Sequence, residues 1–229
     1  MQFDSVQIGV PELTVAARDY ALLLGVTPEP AGSETRRFQL GHGAVELELG
    51  EPATRSLCFV GGPETSWPSG RESFHGLDVR VEPAIGVPPP RTCAAAGVEA
   101  IDHLVIHSPD LDRAIELWRD RLGIRLARSR EFPERGLRMA FFRSAGVTLE
   151  FVSSLPPPAQ PAGPDRLYGI AYRVPSLAAC RARLIAGGVD VGAVRPGHKL
   201  GTLVASVRSG TAGVPTLLIE DPSRVSHSP

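Results

Sequence analysis

Two side chains stand out for their type and their setting. His103 lies inside IDHLVIH (101–107), a short apolar run, and Glu150 lies in VTLEFV (147–152) between Leu149 and Phe151. A strand alternates its faces, so His103, Val105 and His107 point one way. An imidazole there is either a core histidine satisfied by a hydrogen bond or a group that binds a ligand and changes charge near neutral pH. A carboxylate among apolar neighbours is costly unless it meets a cation or a donor. Arg138, Arg143 and Arg173 are the available arginines, and a bound cation is the other solution. His107 directly precedes the Ser108-Pro109 turn and reads as a turn residue.

A third candidate is VRPGHKLGT (194–202), which sets Arg195, His198 and Lys199 around two glycines. Glycine lets backbone N–H groups approach an anion, so the loop is either a solvated hairpin turn or a lid for a carboxylate or phosphate. SGTAGVPT (209–216) needs only hairpin chemistry.

The bulk numbers exclude several classes. The chain has 229 residues, 42% of them apolar, with 24 basic against 25 acidic side chains. Nucleic-acid and membrane-surface binding both need a basic excess, so neither is expected. No apolar run approaches the roughly 20 residues that span a bilayer. MQFDSVQIGV has no basic region followed by a long apolar one, so no signal peptide is expected. Three cysteines, Cys58, Cys93 and Cys180, are odd in number and far apart, which points to free thiols in the cytoplasm.

The elements that must hold these side chains repeat. FDSVQIGVPELTVAARDYALLLGV (3–26) aligns without gaps on IDHLVIHSPDLDRAIELWRDRLGI (101–124), with Asp4 over Asp102, Pro11 over Pro109 and Gly25 over Gly123. LYGIAYRVPSLAACRARLIAGGVDV (167–191) is a further copy, its Pro175 at the same place. Each copy is an apolar strand, a proline turn and a helix. In the middle copy Leu111, Ala114, Ile115, Trp118 and Leu122 recur at helical spacing and form one buried stripe. Strands follow each helix, so the module reads βαβββ. Residues 55–83 look like a module without its helix. Proline-rich breaks at 82–97 and 156–164 separate the copies. The expected division is an N-terminal domain over 1–83, a linker over 84–98, a C-terminal domain over 99–222 and a tail over 223–229.

A tandem βαβββ chain with a histidine in a first strand and a glutamate in a last strand resembles the vicinal oxygen chelate superfamily of glyoxalases, bleomycin resistance proteins and extradiol dioxygenases. IDHLVIHSPDLDRAIELWRDRLGI, GVTLEFV and YGIAYRVPSLAACRARLIAGGV carry the resemblance. It implies an α+β fold in which modules pair into two glyoxalase-like domains, the N-terminal one with a reduced second module. It also implies that His103 and Glu150 are ligands of a divalent metal (zinc, iron, manganese or nickel), with Glu220 in PTLLIEDP as a third ligand or as a base if the last strand is aligned with a shift; without an insertion the counterpart of Glu150 there is a leucine or isoleucine. At the place of His103, however, module one has Ser5 and module four has Gly169. His75 lies near but not on the equivalent position of the reduced module, and Glu48 aligns with Glu150.

Two functions follow as expectations. The first is a metal-dependent lyase, isomerase or dioxygenase for a small oxygen-rich molecule. In it Glu220 and His198 serve catalysis, and Arg138, Arg173, Arg195 and Lys199 bind substrate. The second is a metal-free protein that sequesters a small ligand, in the manner of bleomycin resistance proteins. Either acts as a monomer or homodimer.

Overall fold

A computed structural model describes residues 1–52, 55–61, 70–83, 94 and 96–224. Most of the expected linker, including Cys93, and residues 225–229 of the tail lie outside the described residues.

The N-terminal half runs β1 (Gln2–Val10), α1 (Leu13–Leu24), β2 (Glu29–Pro30), β3 (Thr35–Gln39), β4 (Ala44–Leu49), β5 (Arg55–Gly61), β6 (Gly70–Phe74) and β7 (Leu77–Pro83). The C-terminal half runs β8 (Ala100–His107), α2 (Leu111–Ile115), β9 (Arg125–Phe132), β10 (Leu137–Ser144), β11 (Val147–Ser154), β12 (Arg166–Arg173), α3 (Leu177–Ala186), β13 (Arg195–Pro196), β14 (Leu203–Val207) and β15 (Thr216–Glu220). The strands form two sheets, ordered β2-β3-β4-β1-β5-β7-β6 and β13-β14-β15-β12-β8-β11-β10-β9. The fold is the α+β arrangement of βαβββ modules that the repeat implies. The short strands β2 and β13 complete modules one and four.

Asp110 starts α2 by accepting the Arg113 N–H on Oδ1 at 3.0 Å, which satisfies one of the free donors of a helix start. The helix continues as a π-turn over Glu116–Arg121 and stops at Gly123, whose φ of 65° is open to glycine without strain. Leu111, Ala114, Trp118 and Leu122 of the stripe are buried.

By contacts the chain divides into two compact units. One contains Met1–Val6, Arg55–Val87 and His103–Gly169. Its core is a run of aromatic rings: Phe3 on Phe59 at 5.7 Å, Phe59 on Trp118 at 5.7 Å, Trp118 on Phe151 at 5.3 Å and Phe151 on Phe142 at 5.5 Å. The other contains Gln7–Thr54, Pro88–Asp102 and Ile170–Pro229. Within it Arg183 of α3 donates to the carbonyls of Leu22 and Leu23 at the end of α1, where a helix leaves acceptors unmet.

Candidate functional site

Register decides which side chains meet. β8 and β11 are parallel, with Thr148 opposite His103 and Glu150 opposite Val105. β10 is antiparallel to β11 and sets Phe141 opposite Glu150 and Arg143 opposite Thr148. Residues opposite one another share a face. His103, Val105 and His107 therefore lie on one side of the sheet with Thr148, Glu150, Val152, Met139, Phe141 and Arg143. The other side carries Phe142 and Phe151 and is packed against Trp118.

His103 Nε2 stands 4.0 Å from Glu150 Oε2, with the side chains 16% and 20% exposed. The pair is thus sheltered but open to a ligand. Two donors on one ion, each about 2.1 Å from it, stand at most about 4.2 Å apart, so the pair fits a divalent ion as two of its ligands. Among the described residues no group of three or more His, Cys, Asp and Glu side chains is gathered for a metal. Further coordination positions would fall to substrate or water.

The remaining sequence candidates have other settings. Glu220 Oε2 accepts the Leu177 N–H at 2.7 Å, at the start of α3, where the helix dipole favours a carboxylate. Arg138 alternates with Met139 and so faces the helix side. There it holds Asp112 of α2 through two hydrogen bonds of 3.0 and 3.1 Å, with Glu131 at 3.5 Å. Asp112 holds the Arg138 guanidinium above its ordinary pKa. Arg173 is buried, 3.1 Å from Glu99 and 3.9 Å from Asp102. Lys199 binds Asp221 and Ser223, each at 2.6 Å, which pins the basic loop to the end of the chain's last sheet strand. Arg195 is exposed on β13, and His198 is exposed in the hairpin between β13 and β14. His107 stacks on Tyr168 at 4.4 Å. His75 lies in the β6–β7 turn with Nδ1 3.9 Å from Asp165 Oδ2.

Three arginines of β9, Arg125, Arg128 and Arg130, also belong to the face of Glu150. R-x-x-R-x-R in a strand was the available signal. Its phase is regular for neither face, and only a bulge brings the three together.

Residues 102–205 match the family described as the glyoxalase/bleomycin resistance protein/dioxygenase superfamily. This segment is a vicinal oxygen chelate domain. Among solved structures, the chain is similar to the Mn(II)-bound glyoxalase from Novosphingobium aromaticivorans, at 17% identity over 96% of this chain and 81% of that one, with a TM-score of 0.69. This likeness extends the vicinal oxygen chelate fold over nearly the whole chain. A methylmalonyl-CoA epimerase from Mycobacterium tuberculosis is 24% identical over 58% of this chain and 95% of that one, with a TM-score of 0.47. No curated protein matches the chain. No helix among the described residues is long and apolar enough to cross a membrane.

Proposed function

We propose that the chain is a metal-dependent, glyoxalase-like enzyme that moves a proton on a small oxygen-rich molecule. The observation behind this reading is the sheltered His103–Glu150 pair, 4.0 Å apart on one face of β8 and β11. A divalent ion held by the two would polarise a substrate oxygen. Glu150 would take a proton from the carbon beside that oxygen on its free carboxylate oxygen and give the same proton back at the neighbouring position, while His103 would hold the ion. The pair holds a single imidazole. Iron–oxygen chemistry commonly uses two imidazoles and a carboxylate, so the reading favours a lyase or isomerase over a dioxygenase. Cys58 and Cys180 are buried and form no disulfide, in keeping with a cytoplasmic setting.

The test is elemental analysis after loading with zinc, nickel, manganese and iron in turn. About one ion per chain is expected in the wild type and far less in His103→Ala. No ion in either protein overturns the reading.

A second reading, metal-free sequestration of a small ligand, draws on the missing third donor among the described residues. It predicts that an aromatic ligand raises the melting temperature while metal ions do not. A rise with metal alone counts against it.

A further inference from the structure

The face that bears His103 and Glu150 continues across β10 onto β9. In the β9–β10 ladder Arg128 is opposite Phe141, Arg130 opposite Met139 and Arg125 opposite Arg143. Arg125 and Arg128 are three residues apart, and a regular strand would turn them to opposite sides. The register shifts between Phe141 and Phe142, where Leu126 and Arg128 pair with consecutive residues. Ala127 is the extra residue of this bulge. The bulge restores the phase, so Arg125, Arg128 and Arg130 all lie on the face of Phe141 and Glu150.

Their electrostatic setting differs from that of other arginines in the same unit. Arg113 is spent on Asp165 at 3.0 Å and Arg138 on Asp112 at 3.0 Å. Arg125, Arg128 and Arg130 are exposed, and none has a carboxylate within ion-pair reach among the described residues. The Arg128 guanidinium lies 4.4 Å over the Phe141 ring, which orients its planar fork. Arginines on an edge strand also discourage pairing with other strands. That role needs charge alone and would be met without a bulge that turns all three to the side of Glu150.

We infer that this face takes an anionic small molecule whose phosphate or carboxylate group is held by Arg125, Arg128 and Arg130. β9 is two strands from β11, or roughly 10 Å at about 4.8 Å per strand. A molecule of that length rests its acid on the arginines, crosses Phe141 and presents its other end to Glu150 and His103. The assignment of the far end rests on the proposed function. The anion site does not.

Inorganic pyrophosphate and succinate serve as the two probes, titrated calorimetrically into the full chain at constant ionic strength, with sodium chloride as the control. Saturable binding of at least one probe is expected. The double variant Arg128→Gln/Arg130→Gln loses about tenfold or more in affinity, because charge-assisted, forked contacts are removed. Arg128→Lys, which keeps the charge and loses the fork, falls between. Arg119→Gln, whose guanidinium is paired with Asp120 on the helix, binds as the wild type does. His103→Ala also retains binding, which separates failure of the reactive pair from failure of the anion site. The stronger probe identifies the acid. Equal binding by wild type and a folded double variant, or binding of neither probe by the wild type, overturns the inference.

Discussion

Glu220 caps helix α3: its Oε2 accepts the Leu177 N–H at 2.7 Å. Loss of a carboxylate at a helix start costs about 1 kcal/mol. Glu220→Ala should therefore lower the unfolding free energy by about that amount. Glu220→Gln, which keeps an acceptor, should recover most of it. Chemical denaturation checks both. A base or third ligand would instead show normal stability in both variants and a loss of metal or turnover in both.

Arg138 acts on α2 and leaves the open face untouched. The Arg138 guanidinium holds the Asp112 carboxyl below its usual 3.8. A depressed folded pKa contributes stability that is present above 3.8 and is lost as the pH falls through the folded value. Asp112 is 75% exposed, so solvent screens the pair and the coupling is at most about 1 kcal/mol. A double-mutant cycle with Asp112→Ala and Arg138→Ala should show that coupling at neutral pH and none in strong acid. Arg138→Gln should leave ligand affinity unchanged.

The His75–Asp165 contact gives a second pH signature. Burial, and then the nearby Arg113 charge, lower the His75 pKa below 6.5. Its contribution is present above 6.5 and is lost as the pH falls through the depressed folded value. Burial raises the pKa of Asp165 above 3.8. That contribution has the opposite sign: it is full below 3.8 and lost as the pH rises through the raised value. His75→Gln should flatten the loss of stability on mild acidification below 6.5, as read from denaturation midpoints. An unchanged pH profile would remove His75 from the account.

Glu150 sits between Leu149 and Phe151, both fully buried, and Glu150 itself is only 20% exposed. On the proposed reading, a carboxylate in that position serves function at the expense of stability. Glu150→Leu should be neutral or stabilising by about 1 kcal/mol while abolishing metal binding. Destabilisation by more than about 2 kcal/mol would mark Glu150 as structural.

The modules were legible because each depends on local rules. Pro109, Asp110 and the Leu111–Leu122 stripe specify a helix whatever surrounds them, and Glu150 could be matched to His103 because both lie within long, alternating strands. The settings of Arg173, Arg138 and Lys199 were not legible. Their carboxylate partners, Glu99, Asp112 and Asp221, are 74, 26 and 22 residues away, and only tertiary structure brings them close. Arg125, Arg128 and Arg130 were hidden for a different reason. A one-residue bulge at Ala127 breaks the period that would have revealed their common face.

The central claim is that His103 and Glu150 bind one ligand together. Calorimetric titration of Mn(II) into wild type, His103→Ala and Glu150→Gln tests it most directly. A single site of about one ion per chain is expected, weakened at least tenfold by each substitution and little further by the two combined, because the first loss already breaks the shared site. Wild-type binding that survives both substitutions, or losses that add as those of independent sites do, would contradict it.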